Sequence, residues 1–159
     1  MTPLPKVLDV NPVEQLSHFG AELDYPTLPP EVRDQTGWIL VDTIAAIVGG
    51  SVEPEMRTLT KKLAGSGDCT VLGHGGSASA DIAALLNGTA GTFLEMDEGN
   101  RFSRGHPAIH VIPAALALSE LRRVDADNFL SAVVVGYEVG SRIGAASRLR
   151  ASMHPHGTW

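Results

Sequence analysis

The sequence predicts an all-α fold, a helical bundle, and three observations carry that expectation. Apolar residues recur in long stretches without a strong turn signal, and that length favours helix over strand. Helix-start signals such as Asn11-Pro12, and possible stops such as Gly49-Gly50, punctuate those stretches. Aromatic residues are only 5% while alanine and glycine are abundant, a composition that lets helices approach closely. The chain has 159 residues, enough for one domain with a real core, and 43% are hydrophobic, which argues against disorder.

Residues 1–10 read as an extended tail. At the first helix start, Asn11 accepts from a free N–H, Pro12 suits the first turn and Glu14 takes the third helical position. Val13, Leu16, Phe19 and Leu23 line one side, and Asp24-Tyr25-Pro26 ends the helix. A second helix starts in Thr27-Leu28-Pro29-Pro30-Glu31, runs to Val48 and stops at Gly49-Gly50. Its second half, Trp38 to Val41 and Ile44 to Val48, is apolar nearly all round and is expected to be buried. Asp42 interrupts that run and is expected to be capped or paired with a polar neighbour.

Pro54 to Ala64 reads as a shorter helix with Met56, Leu59 and Leu63 as its buried stripe. Cys69 to Leu72 reads as a short extended piece. The run Gly73-His74-Gly75-Gly76-Ser77 resembles a phosphate cradle, but it lacks the lysine of a P-loop and the spacing of a dinucleotide fingerprint. It reads instead as a turn feeding a helix from Ser79 to Phe93, capped by Ser77 or Ser79. After a polar loop, His110 to Leu121 forms another helix, with Pro113 in its first turn because proline is costly deeper inside. Arg122 and Arg123 suit that helix's C-terminal end. Asp125 or Asp127 caps the last helix, which runs to about Ala146 and repeats glycine at 136, 140 and 144 for close packing.

Charge and composition exclude several function classes. A net charge of −6 and a pI near 5.4 argue against nucleic-acid binding, though not against a local basic pocket. No segment reaches the roughly 18 uncharged apolar residues of a membrane span. The N-terminus lacks the apolar run of a signal peptide. With a single cysteine, Cys69, read as a small core residue, the expected location is cytoplasmic.

The chemistry concentrates in one loop, Glu95 to Pro107. Acids, two arginines and a histidine crowd there between nearly uncharged helices, and a polar loop on rigid flanks is where function often sits. His106 can exchange a proton near neutral pH, oriented by Asp97, Glu98 or Glu95. Arg101 and Arg104 can hold a carboxylate through paired N–H donors. The plain alternative is a surface loop with solvated charges. His106 and His110 are four apart, but no acid follows the first and Pro107 sets His106 just outside the helix, so no metal site is assigned. His154 and His156 form a second cluster near Trp159.

Asp97-Glu98-Gly99, then Gly105-His106-Pro107, then the run from Val111 to Glu120, then Gly136-Tyr137-Glu138-Val139, then His154-Pro155 and Gly157-Thr158-Trp159, resemble the MmgE/PrpD family in order and spacing. Asp42 to Ala45 and Ala84 to Ala90 are similar to its early helices. The resemblance implies a large all-helical domain with a smaller α/β domain, a homodimer, and action on small polycarboxylates without an organic cofactor. Its members include 2-methylcitrate dehydratase, cis-aconitate decarboxylase and iminodisuccinate epimerase, which share proton transfer at a carbon next to a carboxylate.

By motif, His106 and His154 resemble the family's active-site histidines and Asp97 its retained acid. Arg101, Arg104 and His156 are assigned to substrate binding. Asp97-Glu98-Gly99-Asn100 stands where dehydratase and decarboxylase members carry an Asp-Asp-Thr run, and His156 stands where many have threonine. These departures lean toward an epimerase-like member or one of a type not yet characterised. The family's chains are much longer. The expectation is therefore a partial helical domain over 11–159 with no α/β domain, the N-terminal fragment of a lyase or isomerase. The alternative is a non-catalytic helical module that associates with itself or with a completing chain.

Overall fold

The computed structural model describes residues 11–147. Six α-helices dominate them: α1 (Pro12–Glu22), α2 (Pro30–Ser51), α3 (Pro54–Leu63), α4 (Ala80–Thr92), α5 (Pro107–Arg122) and α6 (Ala126–Ser147). A 3-10 turn covers Tyr25–Thr27, and a two-stranded antiparallel hairpin pairs β1 (Cys69–Val71) with β2 (Gly76–Ala78). The all-α expectation holds. No single helix among the described residues is long and apolar enough to cross a membrane.

The helix starts follow the local chemistry. Asn11 Oδ1 accepts from the Val13 amide at 3.0 Å, and Asp125 Oδ1 accepts from the Asn128 amide at 2.9 Å. Asp125 is thus the cap of α6. Ser79 occupies the cap position of α4, but its hydroxyl donates to Asp81 at 2.5 Å instead of accepting from the helix. Arg123 ends α5 in the left-handed region at φ 55°.

α2 packs on α4, α4 on α5, and α5 on α6. Ile47, Met56, Ala90 and Ile109 close the interface of α2 to α5, and Ala108, Ile112 and Val133 close that of α5 with α6. The hairpin covers the far end of α4 and α5, where Cys69 is buried with Val71, Leu86 and Ala117. Burial pushes the Cys69 thiol above its usual pKa. Asn87 ties β1 to α4, accepting from the Leu72 amide at 2.9 Å and donating to the Thr70 carbonyl at 2.9 Å. Glu120 of α5 accepts from the Thr70 amide at 2.7 Å.

Several sequence expectations need correction. α2 continues through Gly49-Gly50 to Ser51. Gly50 is not a stop: a Cβ there would run into the Ala90 carbonyl, so the glycine permits the close crossing with α4. The second half of α2 is not buried all round. Trp38 is 71% exposed and Val41 and Val48 are exposed, because neighbouring helices cover only one side. Asp42 is exposed, and no hydrogen bond or ion pair reaches its side chain from the described residues. In α3, Thr60 rather than Leu63 joins Met56 in the buried stripe.

Gly76-Ser77-Ala78 is a strand, with Gly73 and Gly75 turning at φ 79° and 63° before it. α5 begins at Pro107, not His110, so Pro113 lies in its second turn. Pro107 has the φ that a first helical residue needs, which starts the helix early. Gly136 packs as its spacing suggests: an added Cβ would stand 2.6 Å from Val111 Cγ1 of α5.

Candidate active site

The segment between α4 and α5 is built on Asn100. Its backbone N–H donates to the Gly105 carbonyl at 2.8 Å, and its carbonyl accepts from the Arg104 amide at 2.8 Å. Its side-chain oxygen accepts from the amides of Phe102 at 3.0 Å and Ser103 at 3.1 Å, an Asx-type turn. Its amide nitrogen donates to the Tyr137 hydroxyl at 3.2 Å, so the turn is fastened to α6. Ser103, fully buried beneath this turn, donates to the Asn100 carbonyl at 3.3 Å.

That scaffold brings Asp97 and His106 together. Asp97 Oδ2 lies 3.1 Å from His106 Nδ1, with the Asp97 side chain 0% exposed and the His106 side chain 22% exposed. An ionised carboxylate only accepts hydrogen bonds. A carboxylate at that distance from Nδ1 favours the tautomer with its proton there, which leaves Nε2 as the ring's base. His106 occupies the N-cap position of α5, just outside the helix. His110, one turn on, is exposed and lines a separate groove between α4 and α5.

Glu98 is the neighbour that local patterning underrates. Its Oε1 accepts from the Tyr137 hydroxyl at 2.6 Å and its Oε2 from the Ala108 amide at 3.3 Å. Burial pushes its carboxyl above the usual range, against the opposing pull of the Tyr137 hydroxyl, the Ala108 amide and His106. Asp42 adds a smaller push in the same upward direction. Burial, then the bond to Glu98, drives the Tyr137 phenol well above its ordinary value. Glu98 also lines a cleft of about 560 Å³ whose other wall is α2, with Trp38, Val41, Asp42 and Ala45.

The other candidates are placed differently. Arg101 and Arg104 sit at exposed positions of the Asn100 turn, the first with its guanidinium 5.1 Å from the exposed Phe102 ring and the second at φ 58°. Of the six residues assigned from sequence, the structure joins Asp97 to His106 directly. His154 and His156 lie outside the described residues, as does the tail over 1–10. Asn100 and Tyr137 carry no catalytic motif of their own in the sequence. The signals available were an asparagine after glycine in a turn and a tyrosine on a mostly apolar helix.

A model of the MmgE/PrpD N-terminal domain matches residues 14–159. The chain is 29% identical over 156 residues to the cis-aconitate decarboxylase-like protein oryM of Aspergillus oryzae, covering 92% of this chain and 32% of that protein. It is 28% identical over 140 residues to cis-aconitate decarboxylase of Aspergillus terreus, covering 83% of this chain and 29% of that protein. The chain thus spans about a third of the length of these curated relatives. No solved structure matches it significantly.

Proposed function

The chain belongs to the MmgE/PrpD family through its N-terminal domain, and on that premise we propose that it supplies one acid–base wall of a site acting on a small di- or tricarboxylate. The reaction moves a proton at a carbon next to a carboxylate. The Asp97–His106 pair is the observation that supports this reading: a buried acid orients a part-exposed imidazole whose Nε2 can take or give the proton. Relatives named as cis-aconitate decarboxylases favour lyase chemistry on a tricarboxylate over epimerisation. Arg101 and Arg104 hold a substrate carboxylate. His154 is the second acid–base group, and His156 contacts substrate. The same reading has the enzyme working as a homodimer in the cytoplasm, without an organic cofactor and with no nucleic-acid or membrane partner.

The test uses a protein that carries this sequence as its N-terminal part, incubated with cis-aconitate and related polycarboxylates in deuterated water. Deuterium entry at carbon is followed by NMR. His106→Ala is expected to cut it by roughly a hundredfold or more. Equal rates in parent and variant would sink the proposal.

A second reading has its own observation. Trp38, Val41 and Val48 of α2, with Val52 just past its end, leave apolar surface exposed, and contiguous exposed apolar surface drives association. On this reading the chain is a non-catalytic module that pairs with itself or with a completing chain. Light scattering that finds a clean monomer with a cooperative melt would count against it.

A further inference from the structure

We infer that Glu98 and Tyr137 are a positioning pair for His106, holding the backbone that carries the imidazole as Asp97 holds its ring. This rests on the reading of His106 as the acid–base group. Asp97 and Glu98 are consecutive, and their carboxylates reach two points that bracket one residue. Asp97 meets the His106 ring at 3.1 Å, and Glu98 accepts from the Ala108 amide two residues on at 3.3 Å. Between them Pro107 has no N–H to give.

His106 sits at the N-cap of α5 yet makes no side-chain cap bond, consistent with a ring engaged by Asp97. Glu98 supplies the missing cap from the preceding loop, and a carboxylate at a helix N-terminus is further favoured by the helix dipole. The Tyr137 hydroxyl has one proton and donates it to Glu98 at 2.6 Å, while its oxygen accepts from Asn100 at 3.2 Å. One connected chain of hydrogen bonds therefore runs from the Asn100 turn through α6 to the first turn of α5. Both Glu98 oxygens are engaged, so its role is to position and not to react.

The experiment uses the full chain, labelled for NMR, with Tyr137→Phe, Glu98→Ala and Glu98→Gln. The readouts are hydrogen exchange of the Ala108 amide and the His106 ring resonances. Losing one such hydrogen bond is expected to speed Ala108 exchange by roughly fivefold to tenfold. Tyr137→Phe should do so without Tyr137 bonding to Ala108, and should shift the His106 ring signals. Glu98→Gln, which keeps an acceptor oxygen, should restore most of the protection that Glu98→Ala loses. Leu86, buried in the cluster with Cys69 and Ala117, reports that each variant is folded. Unchanged Ala108 exchange and ring signals in folded Tyr137→Phe overturn the inference, as does Gln behaving no better than Ala. Failure of the polycarboxylate assay alone would leave these readouts standing and would overturn only the functional reading.

Discussion

Asp97 Oδ2 and His106 Nδ1 stand 3.1 Å apart, the acid's side chain wholly buried and the histidine's reaching solvent on one edge. A buried carboxylate facing one ring nitrogen decides which nitrogen is left for chemistry.

Asp97→Asn tests that decision. The amide keeps the volume of the acid but no longer demands a proton on Nδ1. Turnover of a full-length protein is expected to fall roughly a hundredfold or more, the range over which a positioned acid–base group matters. The circular dichroism spectrum should stay that of the parent. A variant with parental turnover would show that the pair is structural.

The raised pKa of Glu98 fixes the sign of a stability effect. Burial lifts this carboxyl above its ordinary 4.5, so the folded chain keeps the proton to higher pH than the unfolded chain does. The contribution is fully present below the ordinary value and is lost as pH rises through the raised one. Glu98→Gln removes the titration. Its denaturation midpoint should gain on the parent's as pH climbs from the ordinary value of 4.5 through the raised one, and level off above it. The slope should be only a fraction of the roughly 1.4 kcal/mol per pH unit of one whole proton, since water screens a half-buried group. A difference that does not change at any pH above 4.5 would contradict the assignment.

Asn100 and Arg101 are neighbours with opposite expectations. Asn100→Ala removes the acceptor of two turn amides and the donor to Tyr137. At about 1 kcal/mol per net bond, the loss is roughly 2–3 kcal/mol. Arg101→Ala removes an exposed side chain stacked on an exposed ring, and should stay within about 0.5 kcal/mol. Thermal melts of the two variants, side by side, check the contrast.

What was legible in the sequence is what local chemistry decides. Asn11-Pro12 and Asp125 announce their helix starts because capping involves residues within one turn. His106 and Asp97 stood out because charge in an apolar neighbourhood needs a reason. The errors came where one signal serves two ends. Glycine marks both a helix stop and a close crossing, and Gly50 is the latter. An apolar surface all round α2 says nothing of how many neighbours cover it, and Trp38 is left outside. The Glu98–Tyr137 bond spans 39 positions, so no periodicity or cap rule reaches it. Gly76-Ser77-Ala78 became a strand because Cys69 to Val71 offers a partner, not because those residues prefer one.

The two sides of that glycine ambiguity can be separated within α2. Gly50 and Gly37 lie in the same helix, and each costs helix stability through backbone entropy, roughly 0.5–1 kcal/mol relative to alanine. Their surroundings differ. A Cβ at Gly50 would collide with the Ala90 carbonyl and stand 3.2 Å from Phe93 Cβ, whereas one at Gly37 meets nothing within 4 Å. Backbone cannot yield as a side chain does, so Gly50→Ala must part α2 from α4, and overpacking of this kind costs about 1–3 kcal/mol. Gly37→Ala should instead stabilise by roughly 0.4–1 kcal/mol. Opposite shifts of the melting midpoint are expected from the same chemical change, 13 residues apart in one helix. If both substitutions stabilise, Gly50 is not a packing glycine and the close crossing of α2 with α4 is wrong.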